Sequence, residues 1–128
     1  MTTRHQETQL PIVQVTYQLS LDLRRTIAKF PRVHRISLGD YLSQSLGEFL
    51  ETIVRTNHLT DHQDRVQSLK TLMGQLLSIR LHLRMAKDLG CLSKGQFADF
   101  SRKLDDIQRQ LLGWHKWAKT QLALAQHP

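Results

Sequence analysis

The side chains able to bind a metal or attack a substrate are few in this 128-residue chain: seven histidines, eleven carboxylates and a single cysteine, Cys91. A carboxylate-bridged metal pair in a helical protein needs Glu-x-x-His repeats on facing helices, and none recurs. His58 and His62 stand four apart across a break and His34 stands alone. No metal site and no cofactor is expected. Cys91 lies in a Gly90-Cys91-Leu92 turn with no base as a sequence neighbour, an unpromising setting for a nucleophile. One cysteine cannot close an internal disulfide, which suits a reducing cytoplasm. No glycine-rich phosphate loop is present. One Arg-x5-His pair remains, Arg109 and His115, side chains of the types that can act on a phosphodiester.

Charge is more informative than any nucleophile. Eighteen Lys and Arg oppose eleven Asp and Glu, a formal charge of +7, and the pI is about 10.1. With 40% apolar and 23% charged residues the composition is that of a globular protein. Its excess of cations predicts an acidic partner, of which nucleic-acid phosphate is the commonest. No apolar run approaches the roughly 18 residues of a membrane span, and the N-terminal MTTRHQETQLP lacks the apolar centre of a signal peptide. No membrane contact is expected. The cations cluster: Arg24, Arg25, Lys29, Arg32 and Arg35 face only Asp22 and Asp40 within residues 21–40.

The elements that must position these groups are helices, because apolar residues recur at three and four across long stretches and alternation at two is scarce. Four are predicted, at about 11–29, 38–57, 61–89 and 93–124, within one domain spanning 1–128. Pro11 starts the first, and Phe30-Pro31 stops it. Ser37 is placed as the N-cap of the second, with Asp40 three residues on. Gly90 ends the third in the left-handed conformation, and Ser93 with Gln96 forms a capping box for the fourth. Short links favour antiparallel neighbours, so the fold class is all-α, an up-down antiparallel four-helix bundle.

Within that frame the amphipathic pattern breaks on the third helix. Counting 100° per residue from Val66 puts Arg80, Arg84 and Lys87 near the phase of Leu69, Met73 and Leu76. Leu77 also counts as inward. Unpaired cations there would need carboxylates such as Asp22, Asp105 or Asp106, or a partner outside the protomer. An antiparallel bundle brings Arg32, Arg35, Arg84 and Lys87 to one end. Val13, Tyr17 and Leu21 lie off the main stripe of the first helix, and Trp117 lies off that of the fourth. Tyr17, Leu21 and Trp117 are therefore candidate oligomer contacts.

Two segments carry a family resemblance. Pro31-Arg32-Val33-His34-Arg35-Ile36-Ser37-Leu38-Gly39-Asp40-Tyr41-Leu42 resembles a helix junction in four-helix-bundle proteins of two kinds. These are the accessory variability determinants (Avd) of diversity-generating retroelements and the ribosomal-RNA intervening-sequence proteins. Ile79-Arg80-Leu81-His82-Leu83-Arg84-Met85-Ala86-Lys87-Asp88-Leu89-Gly90-Cys91-Leu92-Ser93, and then Leu104 through Gly113-Trp114, are similar to the Avd pattern. Leu112 and His82 depart from it, where the family more often has glycine and an aliphatic residue. The resemblance implies a non-catalytic homopentameric barrel that binds a reverse transcriptase and RNA or DNA through a basic surface. It also implies a role in mutagenic cDNA synthesis and retrohoming. The matching basic residues are Arg80 and Arg84, with Arg24, Arg25, Arg32, Arg35 and Lys87 nearby. Two alternatives stand beside it. One is an RNA-associated bundle of the intervening-sequence kind; the other is a HEPN-like ribonuclease using Arg109 and His115.

Overall fold

The computed structural model describes residues 10–127, and every regular element among them is helical. Helix α1 spans Pro11–Ile27, with Pro at its first position, where a missing N–H costs nothing. Its last turn relaxes into a bend that returns Phe30 to the core at 3% exposure. Helix α2 then runs without interruption from 32 to 58 as a first turn Arg32–His34, a π-helical turn Arg35–Gly39 and a body Asp40–His58. The expected start at 38 is therefore wrong by two turns, and Ser37 is no cap. Pro31 accepts the N–H groups of His34 and Arg35, both at 2.9 Å, while the Ser37 hydroxyl donates back to the Val33 carbonyl at 3.0 Å. A proline needs no donor and arrives with its φ preset, so Pro31 opens α2 in the same step that closes α1.

In the π turn, Asp40 N–H reaches back five residues to the Arg35 carbonyl. This widened turn lies where α1 and α2 approach most closely. A Cβ on Gly39 would sit 2.6 Å from Ile27 Cγ2, inside any allowed contact. Glycine here is thus required by space.

Helix α3 covers His62–Asp88. Its N-cap Asp61 accepts from Asp64 N–H at 2.9 Å. Gly90 takes φ +80° and ends the helix, with Cys91 N–H donating to the Ala86 carbonyl at 2.8 Å. Helix α4, Lys94–Gln126, opens on a reciprocal capping box in which Ser93 and Gln96 exchange bonds of 3.0 and 2.9 Å. Neighbours in sequence pack side by side, and α4 closes the ring against α1. Cross-links at both ends set the antiparallel order: Tyr41 hydroxyl to Ser78 Oγ at 2.6 Å near the start of α2, and Thr56 to Ser68 at 2.5 Å near its end.

One apolar core fills the bundle, with Leu19, Leu42, Phe49, Leu69, Ile79 and Leu104 at 1% exposure or less. Val13 belongs to it at 6% exposure, contrary to its expected place on a second surface, because α1 faces both α2 and α4 and so needs a wide stripe. Helix α3 differs more. Its buried positions Leu69, Leu72, Leu76, Ile79, Leu83 and Ala86 are spaced by threes and fours in turn, a heptad repeat. A 3.5-residue repeat slips by about 20° per heptad against a straight helix. By the C-terminal half the seam has moved onto Ile79, Leu83 and Ala86. Leu77, expected inside, is 59% exposed, and the cations counted into the core lie at its margin.

Between α1 and α4, Lys103 Nζ meets Asp22 at 2.7 Å and Asp99 at 3.4 Å. The hydrogen bond from Lys103 holds the Asp22 carboxyl below its ordinary 3.8, and the same bond raises the Lys103 ammonium above 10.5. Both ionised forms therefore favour the fold at neutral pH.

Two expectations follow from this packing. Gly39→Ala should cost about 1–3 kcal/mol, the range of core overpacking, and lower the thermal midpoint by several degrees. Gly113→Ala, with nothing within 4 Å of the added methyl, should instead raise stability by up to about 1 kcal/mol; thermal melts followed by circular dichroism compare the two. Lys103→Met should lose roughly 1 kcal/mol at pH 7. Against pH, the deficit should persist above pH 3.8 and fade as pH falls through the lowered Asp22 value. At the alkaline end it should fade as pH rises through the raised Lys103 value, and urea titrations across pH measure both limbs.

Candidate nucleic-acid interface

The antiparallel order gathers the end of α1, the start of α2, the end of α3 and the start of α4 at one pole. Arg24, Arg25, Lys29, Arg32, Arg35, Arg84, Lys87 and Lys94 all belong to it. Among the described residues, Arg24, Lys29, Arg32, Arg35 and Lys94 make no ion pair. The Arg24 guanidinium only donates to the Ser43 carbonyl at 3.4 Å, and that of Arg35 to the Ala28 carbonyl at 3.5 Å. Arg25 reaches Asp22 at 3.6 Å while remaining 72% exposed. The continuous helix through Pro31 and the π turn is what carries Arg32 and Arg35 to this rim.

The three cations of α3 behave differently from one another. Arg80 is tied down, donating to Asp105 at 2.7 Å and to Gln108 at 2.8 Å across the α3–α4 seam, with its side chain 26% exposed. Asp105 is one of the carboxylates weighed as its partner from sequence. Lys87 also lies against α4, its ammonium 4.8 Å from the centre of the Phe97 ring and 3.9 Å from Asp88. Arg84 points outward, 72% exposed, and meets only the same Asp88 at 3.9 Å. None of the three is an uncompensated buried charge. Arg80 is a strut of the bundle, whereas Arg84 is free to meet a ligand.

Leu77, Leu81, Met85 and Leu89 recur every fourth residue on the outer face of α3, with exposures of 45–59%. Leu112 of α4 lines a cleft with Leu77 and Arg80. A row of large apolar side chains facing water marks a contact site. Their i, i+4 spacing is legible in the sequence, where Leu77 alone of the four counts as inward. Of the contacts expected from sequence, Tyr17 is 55% exposed and lines an apolar groove with Val13, Leu50 and Val54, and Leu21 is half-buried. Trp117, 50% exposed, is partly covered by its own chain, with the Arg65 guanidinium 5.5 Å from the ring centre.

Arg109 and His115 do not converge. Six residues place them about 120° apart around α4. Arg109 bonds Asp106 at 3.1 Å and is 76% exposed, while His115 Nε2 is buried without a partner. Burial, reinforced by the charges of Lys119 and Lys70, lowers the His115 pKa below its ordinary 6.5. Burial also raises the half-buried Cys91 thiol. Among the described residues no three His, Cys, Asp or Glu side chains gather as a metal site, and no helix is long and apolar enough to cross a membrane.

No curated protein matches the sequence. The bAvd-like family does, over residues 10–118, which takes in all of α1, α2 and α3 and most of α4. Those limits enclose the basic pole, the apolar face of α3 and the Gly113-Trp114 signature alike, and the chain belongs to the bAvd-like family, the bacterial accessory variability determinants.

Proposed function

We propose that this protein is a non-catalytic subunit of a diversity-generating retroelement, holding RNA or DNA by its phosphates at the basic pole and docking protein along α3. Its protein partners would be the element's reverse transcriptase and further copies of itself. In that role it supports mutagenic cDNA synthesis and retrohoming. The observation that carries the reading is the set of cations at one pole that no carboxylate among the described residues neutralises: Arg24, Lys29, Arg32, Arg35 and Lys94. A protein gains nothing in stability from repelling charges held together. Phosphates along a strand would offset that repulsion and release counterions on binding. Such contacts fix position with little regard to base.

The apolar row on α3 supports assembly. Its Leu and Met side chains cost solubility in a lone bundle and become useful once covered. A homopentamer is the assembly we propose, with Leu77 and Leu81 of α3 against a neighbouring copy.

Arg32 and Arg35 are the residues to test, because Arg80→Ala would cut two bonds of the bundle and confound binding with folding. The Arg32→Ala, Arg35→Ala double variant should keep its helicity. Its binding to nucleic acid should weaken to a similar degree for every sequence, and the slope of log K against log salt should fall by about 1–2. Fluorescence anisotropy at several salt concentrations measures this, and an unchanged slope would count against the basic pole. Light scattering should give a mass near five times 14.9 kDa. Leu77→Glu with Leu81→Glu should return it to a folded monomer, and a wild-type monomer would remove the assembly.

A further inference from the structure

We infer that a groove between the start of α2 and the end of α3 holds one unstacked nucleobase, so that the protein selects single strands over duplex. The inference rests on the nucleic-acid reading above and narrows it.

The groove has a volume of about 300 Å³ and is lined by His34, Ser37, Tyr41, His82, Met85 and Leu89, with Leu38 at its floor. Its wall is an aromatic pair: the rings of Tyr41 and His82 stack with centroids 3.9 Å apart and planes inclined by 27°. Ser78 locks both. Its hydroxyl bonds the Tyr41 hydroxyl at 2.6 Å, and its carbonyl lies 2.7 Å from His82 Nδ1. A carbonyl can only accept, so Nδ1 carries a proton and donates, which leaves the Nε2 edge to the groove's occupant. A stacked pair held this way would ordinarily be core, yet Tyr41 is 40% and Met85 45% exposed.

Charge selects the occupant. No carboxylate lines the groove, although two exposed acids adjoin its lining in sequence, Asp40 before Tyr41 and Asp88 before Leu89. Arg32 and Arg35 stand within one turn of His34 and Ser37, and Arg84 directly precedes Met85. The nearest acid along α3, Asp88, is shared by Arg84 and Lys87 at 3.9 Å each. An aromatic, hydrogen-bond-capable slot among arginines fits a base with its phosphates. It fits an acidic or apolar peptide less well, because neither would use the ring faces. Bases in a duplex are stacked and paired, and cannot enter.

The test uses the full chain and four labelled probes in anisotropy: a mixed-sequence single-stranded RNA 20-mer, the matching DNA strand, its duplex, and an abasic strand of equal charge. Wild type should bind either base-bearing strand about tenfold more tightly than the abasic one, the scale of one stacked base, and more tightly than the duplex. Tyr41→Ala should collapse the ratio of base-bearing to abasic affinity toward one, and Tyr41→Phe should preserve most of it. Circular dichroism confirms that each variant stays helical. Equal affinity for base-bearing and abasic strands, a preference for duplex, or a ratio unmoved by Tyr41→Ala would overturn the inference. In those cases, salt-dependent binding that still needs Arg32 and Arg35 would leave the phosphate reading standing. Failure of wild type to bind any probe would overturn both.

Discussion

The 3.5-residue repeat of α3 is the constraint from which the functional surfaces follow. Leu69, Leu72, Leu76, Ile79, Leu83 and Ala86 keep a strict heptad spacing, so the buried seam rotates slowly around a helix whose backbone does not. Had the seam stayed in the phase of Val66 and Leu69, Arg80 and Lys87 would be buried charges costing several kcal/mol each. The slip instead leaves them at the α4 flank, where Asp105, Gln108 and the Phe97 ring receive them. The same rotation carries Leu77 out of the core, whereas Leu81, Met85 and Leu89 face outward in either phase. Neutralised cations on one flank and an outward Leu77 beyond it are two consequences of one spacing.

The sequence was most legible where a local rule acts alone. The Ser93–Gln96 box, the left-handed Gly90 and the core positions of α2 from Leu38 to Ile53 all depend on residues within one or two turns of each other. Pro31 was read in one direction only. It stops α1, but it also supplies a fixed φ and a free carbonyl to begin α2, and a Ser-x-x-Asp pattern drew the boundary downstream. The π turn at Arg35–Gly39 has no sequence signature of its own, since the Gly39–Ile27 approach behind it joins two helices.

The candidate site was legible by its charge and much less by its geometry. Grouping Arg32, Arg35, Arg84 and Lys87 at one pole needs only an antiparallel order. Deciding which of the cations are free needs partners, and Arg80, which the resemblance puts first with Arg84, is the one most firmly engaged by its own chain. The Tyr41–His82 stack was out of reach for the same reason. Residues 37 apart in sequence, Tyr41 and Ser78, meet only once α2 and α3 are docked in register.

The geometry also explains how a small bundle can serve two kinds of partner without either contact disturbing the core. Nucleic acid would engage the pole through arginines on exposed first or last turns, where the side chains can reorient without repacking. Protein would engage the side of α3, where helix backbone fixes the spacing of Leu77, Leu81, Met85 and Leu89. Gly74 lies on that same face, a mid-helix glycine with nothing within 4 Å of its missing Cβ. Such a residue costs up to about 1 kcal/mol relative to alanine, and the chain's own packing makes no use of the space. In the proposed assembly this glycine, three residues before Leu77, would let a neighbouring copy approach the helix backbone closely. The boundary between the two surfaces falls at the last turns of α3, where Met85 and Leu89 belong both to the apolar row and to the groove beside Tyr41. Filling the groove would therefore alter the end of the proposed protein-binding face. That shared edge gives one physical route by which a bound strand and a bound protein could sense each other.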